Sequence, residues 1–201
     1  MTPRQYIESE EKEKERLEEL SEKWCCPLSS GNKKLHEVLG EMDEWSLDQQ
    51  DVPLIIRLIE NPKYKSSKLF TGAVSLFSHD CIHIVLGRGI LPKDEAFVIG
   101  YTMGSSKKMK RWRRNLFMFA AKYLYPKKFS FGEQERFVFN VAVMMGSLCP
   151  SDLSQINFSI FSDVKIDAIR KKLGVETDLL KHCYEIEKNC FPRSIESQRL
   201  L

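Results

Sequence analysis

The segment His79-Asp80-Cys81-Ile82-His83-Ile84-Val85-Leu86-Gly87-Arg88-Gly89-Ile90-Leu91-Pro92-Lys93-Asp94-Glu95 reads as two helices and the turn between them. Its first half is apolar apart from the histidines and one aspartate, and Gly87 is a natural helix end. Gly87-Arg88-Gly89 lets the chain turn. Pro92 suits the first turn of a helix that can return antiparallel, and Asp94 and Glu95 suit the positive end of its dipole. On an α-helix each residue turns about 100°, so His79 and His83 differ by about 40° and Asp80 lies about 60° beyond His83. Two imidazoles and a carboxylate therefore share one face, and Glu95, one turn into the second helix, can come level with His83. These four residues, His79, Asp80, His83 and Glu95, are candidate ligands of a divalent metal. Their donor atoms suit zinc, and equally non-haem iron or manganese. A histidine pair at this spacing also arises as plain surface or core pairing. Here, however, half of the chain's four histidines fall within five residues. Burying an unpaired charge in such a helix costs several kcal/mol, which a bound ion would offset.

Outward from this segment the pattern stays helical. Ser66 or Ser67 can cap the helix that runs through Leu69, Val74, Leu76 and Phe77 to the histidines. Upstream, Asp51-Val52-Pro53 starts a short helix that Asn61-Pro62 stops. Downstream, a helix from about Lys108 to Tyr125 ends at Pro126, and Ser130-Phe131-Gly132-Glu133 is a capping-box pattern ahead of Phe137–Leu148, which Pro150 closes. Ser162 or Asp163 caps a helix ending at Leu173-Gly174, and Thr177 caps a last one to about Asn189. Strand-like alternation is confined to a weak Asn157–Phe161. The expected fold is all-α: a compact bundle of about seven or eight helices in one domain. Residues 24–34 (WCCPLSSGNKK) read as a loop. Residues 1–23, crowded with Glu, Lys and Arg, read as a charged N-terminal helix or arm.

A chain of 201 residues is one ordinary domain, and 42% hydrophobic with 29% charged residues is a soluble composition. A net charge of +3 is too small to suggest nucleic acid as a partner. No run approaches the ~18–20 apolar residues of a membrane span. The opening Met1-Thr2-Pro3-Arg4 leads into charged residues with no apolar leader, and the six cysteines are scattered without a CxxC pair. A reducing, cytoplasmic setting with free thiols is expected.

Charge is unevenly distributed. Lys107, Lys108, Lys110, Arg111, Arg113 and Arg114 open a basic tract that continues through Lys122, Lys127 and Lys128 with no acidic residue. Trp112, Phe117, Phe119, Tyr123 and Tyr125 are interleaved with it. The tract reads either as a helix lying on an anionic membrane surface, with each cation contributing roughly 1 kcal/mol, or as a core helix with a solvated basic face. His36 and His182 stand alone and suit surface or structural roles. Cys81 reads as a small buried apolar residue. Arg88 is a candidate to place a substrate carboxylate, and Gly72, Ser75 and Leu76 could leave room for a substrate beside the ligands.

The motif His-Asp-x-x-His, eleven residues, Glu, met here as His79, Asp80, His83 and Glu95 with Gly87 four after the second histidine, is similar to the signature of the Coq-four family of ubiquinone (coenzyme Q) biosynthesis. The resemblance implies an α-helical domain over 24–201 and a divalent metal, usually described as zinc, held by the motif. It also implies peripheral association with the inner face of a membrane, other quinone-biosynthesis proteins as partners, and binding of long prenyl chains. The reaction it implies is removal of the ring C1 carboxyl of a polyprenylated hydroxybenzoate with hydroxylation at that carbon.

Three functions follow as expectations. The first is a metal-dependent enzyme (a decarboxylase or hydroxylase) in which the ion stabilises charge on the substrate's carboxylate or phenolate. The second is a prenyl-lipid-binding or scaffold protein with a structural metal, which four protein ligands would favour. The third is a metal-dependent hydrolase; a phosphohydrolase of His-Asp type would need His36 and Asp163 or Asp167 as well. A homodimer is compatible with all three.

Overall fold

The computed structural model describes residues 23–43, 75–107 and 131–201. Most of the charged N-terminal segment, the helix expected between Asp51 and Asn61, and the basic tract from Lys108 to Lys128 lie outside the described residues. Lys107, the one tract residue described, is exposed.

Among the described residues there are seven α-helices and no strand. They are α1 (Leu35–Asp43), α2 (Leu76–Leu86), α3 (Pro92–Ser105), α4 (Glu133–Leu148), α5 (Ile166–Leu173), α6 (Thr177–Cys190) and α7 (Ile195–Gln198). The fold is all-α and compact, as the periodicity implies.

Helix α2 is the centre. Cys81, Ile82, Ile84, Val85 and Leu86 are fully buried, so the C-terminal half of the helix is covered on all sides, while Leu76 and Phe77 at its start are exposed. It packs against α1, α3 and α5. Its start differs from the expected Ser66 or Ser67. Ser75 is the cap, because its hydroxyl accepts from the Ser78 N–H at 3.2 Å and satisfies a first-turn donor. Its end is at Gly87, whose φ of 73° is the left-handed conformation that glycine adopts without strain. The end is buried, so its carbonyls need donors. Arg88 N–H bonds the His83 carbonyl at 3.0 Å, Arg170 Nε bonds that of Val85 at 2.8 Å, and the Tyr184 hydroxyl bonds that of Leu86 at 2.5 Å.

Helices α3 and α4 form the most extensive pairing. They run in the same direction: Lys93 meets Gln134, Gly100 meets Phe139 and Ala142, and Gly104 meets Val143. A Cβ at Gly104 would collide with the Val143 carbonyl, and one at Gly146 with the Tyr101 carbonyl. The lack of side chains there lets the two backbones touch.

Several local expectations shift. The cap of α4 is Gly132, whose N–H is taken by Glu135 at 2.8 Å, in place of the Ser130–Glu133 box. Helix α5 begins at Ile166 after Lys165; Asp163, expected as a cap, is turned outward toward Lys34 and His36. Thr177 is the first residue of α6 rather than its cap. The weak strand at Asn157–Phe161 is a 3₁₀ turn, in which Asn157 Oδ1 accepts from the Ser159 N–H at 3.2 Å and competes with extended pairing. The expected loop at 24–34 contains a 3₁₀ turn, Leu28–Asn32, and buries Trp24, Cys26 and Leu28 in the core. Among the described residues no helix is long and apolar enough to cross a membrane.

Candidate metal centre

Two helix ends make the site. His79 and His83 are one turn apart on α2, and Glu95 is in the first turn of α3. Glu95 faces both rings: its Oε2 lies 3.3 Å from His79 Nε2 and its Oε1 lies 3.3 Å from His83 Nε2. The ring centroids are 4.6 Å apart, with the planes at 67°. Ligand atoms of these three residues all lie within 4.8 Å of one another.

The hydrogen bonding says what this arrangement lacks. His83 Nδ1 is 2.6 Å from the Gly89 carbonyl, which can only accept, so Nδ1 carries a proton. Nε2 is then the atom left to take an ion or a second proton. It is buried and, among the described residues, makes no hydrogen bond of good geometry, its nearest partner being the Glu95 carboxylate at 3.3 Å, and the same holds for His79 Nε2. Two imidazole nitrogens thus converge on the two oxygens of one carboxylate. A cation between them satisfies all four atoms. The 3.3 Å separations also fit one: ligands at roughly 2.0–2.1 Å from a tetrahedral ion are themselves ~3.3 Å apart. The Gly89 carbonyl on Nδ1 is the outer partner that ligating histidines ordinarily have.

Asp80 is not part of this convergence. Its Oδ1 lies 3.7 Å from His79 Nδ1, on the far side of that ring from Glu95. Of the four expected ligands, three come together and the fourth flanks one of them. Three protein ligands leave coordination positions open, where four would have closed the site.

Charge in the site is strongly coupled. Burial drives the His79 pKa down, but the Glu95 charge and the Asp80 carboxylate outweigh it and push the value up to about 10. Burial alone would raise the pKa of Glu95, yet His83 and His79 hold it well below the usual carboxylate range. The site is sealed from below and open from above. The His83 side chain is 0% exposed, His79 11%, Glu95 23% and Asp80 24%.

Arg88 does not point at the site as a substrate clamp. Its guanidinium is fully buried, bonded to both oxygens of Glu187 at 3.0 and 2.6 Å, and lies over the Phe97 and Tyr184 rings. Glu187 in turn accepts from the Ser197 hydroxyl at 3.0 Å. This network ties α6 to the loop between α2 and α3. Glu187 is not singled out by its sequence context, although Leu180, Tyr184 and Glu187 follow helical spacing and all face inward.

The remaining candidates fall outside. His36 is exposed and bonds the Ser162 carbonyl at 3.0 Å; His182 is exposed and bonds that of Asp178 at 2.7 Å. His36 and Asp163 face each other at 3.5 Å on the surface, and Asp167 is bonded to Arg170, so neither carboxylate is gathered with the triad. Cys81 is fully buried, as expected. Ser75 serves as a helix cap, Leu76 is 41% exposed, and Gly72 lies outside the described residues. Elsewhere, a hollow of about 280 Å³ lies between α4 and α6, lined among others by Phe97, Phe137, Val141, Met145 and Leu179.

No protein-family model, curated protein or solved structure matches this chain.

Proposed function

We propose that the chain is a divalent-metal-dependent protein in which His79, His83 and Glu95 hold the ion and Asp80 orients His79. The observation that carries this reading is the pair of buried imidazole nitrogens that make no well-formed hydrogen bond among the described residues and stand 3.3 Å from the two oxygens of one carboxylate. A structural role for the ion is less favoured, because three ligands leave room for a substrate.

The similarity of the motif to the Coq-four signature directs the reading to ubiquinone biosynthesis: removal of the ring C1 carboxyl from a polyprenylated hydroxybenzoate, with hydroxylation. A bound divalent ion supplies Lewis-acid stabilisation of a carboxylate or phenolate; the hydroxylation half calls for iron or manganese, or for an oxidation carried by the phenol and oxygen, because zinc has no redox chemistry. The chain's own residues do the placing. The open side at His79, Glu95 and Asp80 admits the substrate head. Ile99 and Met103 follow Glu95 at successive turns of α3 and are partly exposed, which suits an apolar tail. The protein would work on the inner face of a membrane, held there by the basic tract beginning at Lys107, alongside other quinone-biosynthesis proteins.

A second reading, a prenyl-lipid carrier or scaffold with a metal that holds the fold, draws on the apolar hollow between α4 and α6. Metal analysis of protein purified without chelator tests the common part. One divalent ion per chain is expected, with nearly all of it lost in the His79→Ala/His83→Ala double variant. Stoichiometric metal in that variant removes the site. Glu95→Gln then separates the two readings. A catalytic ion predicts a loss of turnover of a carboxylated prenyl-phenol with tail binding preserved; a structural ion predicts that melting temperature and tail binding fall together.

A further inference from the structure

Outside the three ligands, the loop from Gly87 to Leu91 does two things for the site. It supplies the Gly89 carbonyl that fixes His83. It also leads into α3, whose first turn carries Glu95. A loop with two glycines has little rigidity of its own, so something else must hold it.

The segment that follows α6 does so. Arg199 donates from Nη1 to the Lys23 carbonyl at 2.6 Å and from Nη2 to Asp94 Oδ2 at 3.1 Å. Asp94 Oδ2 also accepts from the Leu91 N–H at 3.2 Å, which caps α3 one residue before the Glu95 ligand. The same guanidinium lies directly against Gly89, where a Cβ would collide with Nη2 and come within 2.8 Å of Asp94 Oδ2 and 2.7 Å of the Trp24 carbonyl. Gly89 pairs with Cys25 in an isolated antiparallel bridge, and Leu28 N–H bonds the Leu200 carbonyl at 2.8 Å. Arg199 thus ties the Lys23 carbonyl to the carboxylate beside Glu95 and packs against Gly89, the residue whose carbonyl lies behind His83. Asp94 is fully buried and Arg199 largely so, so the pair is shielded from solvent.

We infer that Arg199 is a positioning residue for the metal centre, acting through Gly89 on His83 and through Asp94 on Glu95. This rests on the metal reading above. The guanidinium fork has the right shape for this role, because one arm reaches a backbone carbonyl, the other a carboxylate, and the fixed angle between them sets the distance between the two chain segments. Without it, Gly89 loses the guanidinium packed against it and the first turn of α3 loses its tie to Lys23, so the turn behind His83 and the helix start that carries Glu95 no longer share a brace.

The test compares metal affinity with fold stability in the full chain, using zinc and cobalt(II) in competition with a chromophoric chelator. Arg199→Ala is expected to weaken binding about tenfold or more, the range seen when outer partners of metal ligands are removed. Arg199→Lys is expected to recover part of the loss, since an ammonium can hold Asp94 but cannot reach both partners. Arg170→Lys is the comparison. Arg170 is fully buried and ties α2 to the 3₁₀ turn through the Val85 and Leu28 carbonyls, and its hydrogen bonds go to these and to Asp167 rather than to Gly89 or Asp94. It should lower the melting temperature and leave affinity within twofold. If Arg199→Ala does not fold, Arg199→Gln is read in the same way. Affinity within twofold of the starting protein in Arg199→Ala, or in Arg199→Gln where it stands in, overturns the inference, as does a loss no larger than that in Arg170→Lys. If the unaltered protein binds neither ion, the metal reading itself falls and takes this inference with it.

Discussion

Asp94 and Glu95 are neighbours with the same functional group and different surroundings. Asp94 is walled in by Arg88 and Arg199 and caps the helix; burial pushes its pKa up against the pull of those two cations. Glu95 faces two imidazoles across a partly open edge, and its pKa goes down. Protonation of this site has a predictable sign. A histidine raised above its ordinary 6.5 stabilises the fold fully below that pH, and the contribution is lost as pH climbs toward about 10. A carboxylate depressed below its ordinary 4.5 stabilises the fold above that pH and loses its contribution on further acidification. In metal-free protein the His79–Glu95 pair therefore stabilises most between about pH 4.5 and 6.5 and less from there upward. A metal needs Nε2 unprotonated, so its stabilisation runs the other way. The rise in melting temperature on adding zinc should be small at pH 6 and grow toward pH 8. A zinc-induced rise that is flat across this range would remove the imidazoles from the ligand set.

At the scale of elements, the crossing of α3 and α4 sets where Glu95 stands. The two helices run parallel in contact because Gly104 and Gly146 leave carbonyls of the partner helix uncovered. Gly146→Ala would drive a methyl group into the Tyr101 carbonyl, a part of the backbone that cannot swing aside. A loss of about 1–3 kcal/mol is expected, as for other overpacked interiors. Gly40, exposed on α1, has nothing among the described residues within 4 Å of where a Cβ would be. There the same substitution should stabilise by about 0.4–1 kcal/mol, because alanine loses less backbone freedom on entering a helix. Urea unfolding of both variants measures the contrast. Equal and opposite signs are not required, but a Gly146→Ala protein as stable as the parent would show that α3 and α4 can separate without cost.

For the whole molecule, the described core and the basic tract pose separate questions. The core is apolar around the C-terminal half of α2, and Arg88, Glu187, Asp94 and Arg199 form a buried polar network behind the candidate ligands, with Arg170 buried separately against the Val85 and Leu28 carbonyls. The tract contributes only its composition here: cations with interleaved aromatics and no acid. If it docks the protein on an anionic bilayer, binding to vesicles containing phosphatidylserine should weaken as salt rises, because exposed charges are screened beyond ~8–10 Å at physiological ionic strength. Reversal of Lys110, Arg111 and Arg114 to Glu should abolish that binding and leave metal content unchanged. Equal binding to neutral and anionic vesicles, indifferent to salt, would count against an electrostatic surface role.

The helical class, the stop at Gly87, the start at Pro92 and the meeting of His79, His83 and Glu95 were all legible in the chain, because each depends on spacing along one or two adjacent helices. Spacing could not separate Asp80 from the other three. It lies on nearly the same face as the histidines, and only the placement of α3 decides that Glu95 approaches from the side away from it. The helix starts were misplaced for a related reason: a hydroxyl caps only where the backbone path brings a free N–H to it, as it does at Ser75. Arg88 stood beside the ligand motif as a candidate to place a substrate carboxylate. Its burial against Glu187 depends on residues 99 positions apart, and no local pattern carries that information. The sequence alone determined which groups could bind an ion; the tertiary structure decided that three of them converge and that Arg199, 105 positions from Asp94, reaches the helix start beside them. Ligand chemistry is a property of single residues, while mutual distance is a property of the packed chain.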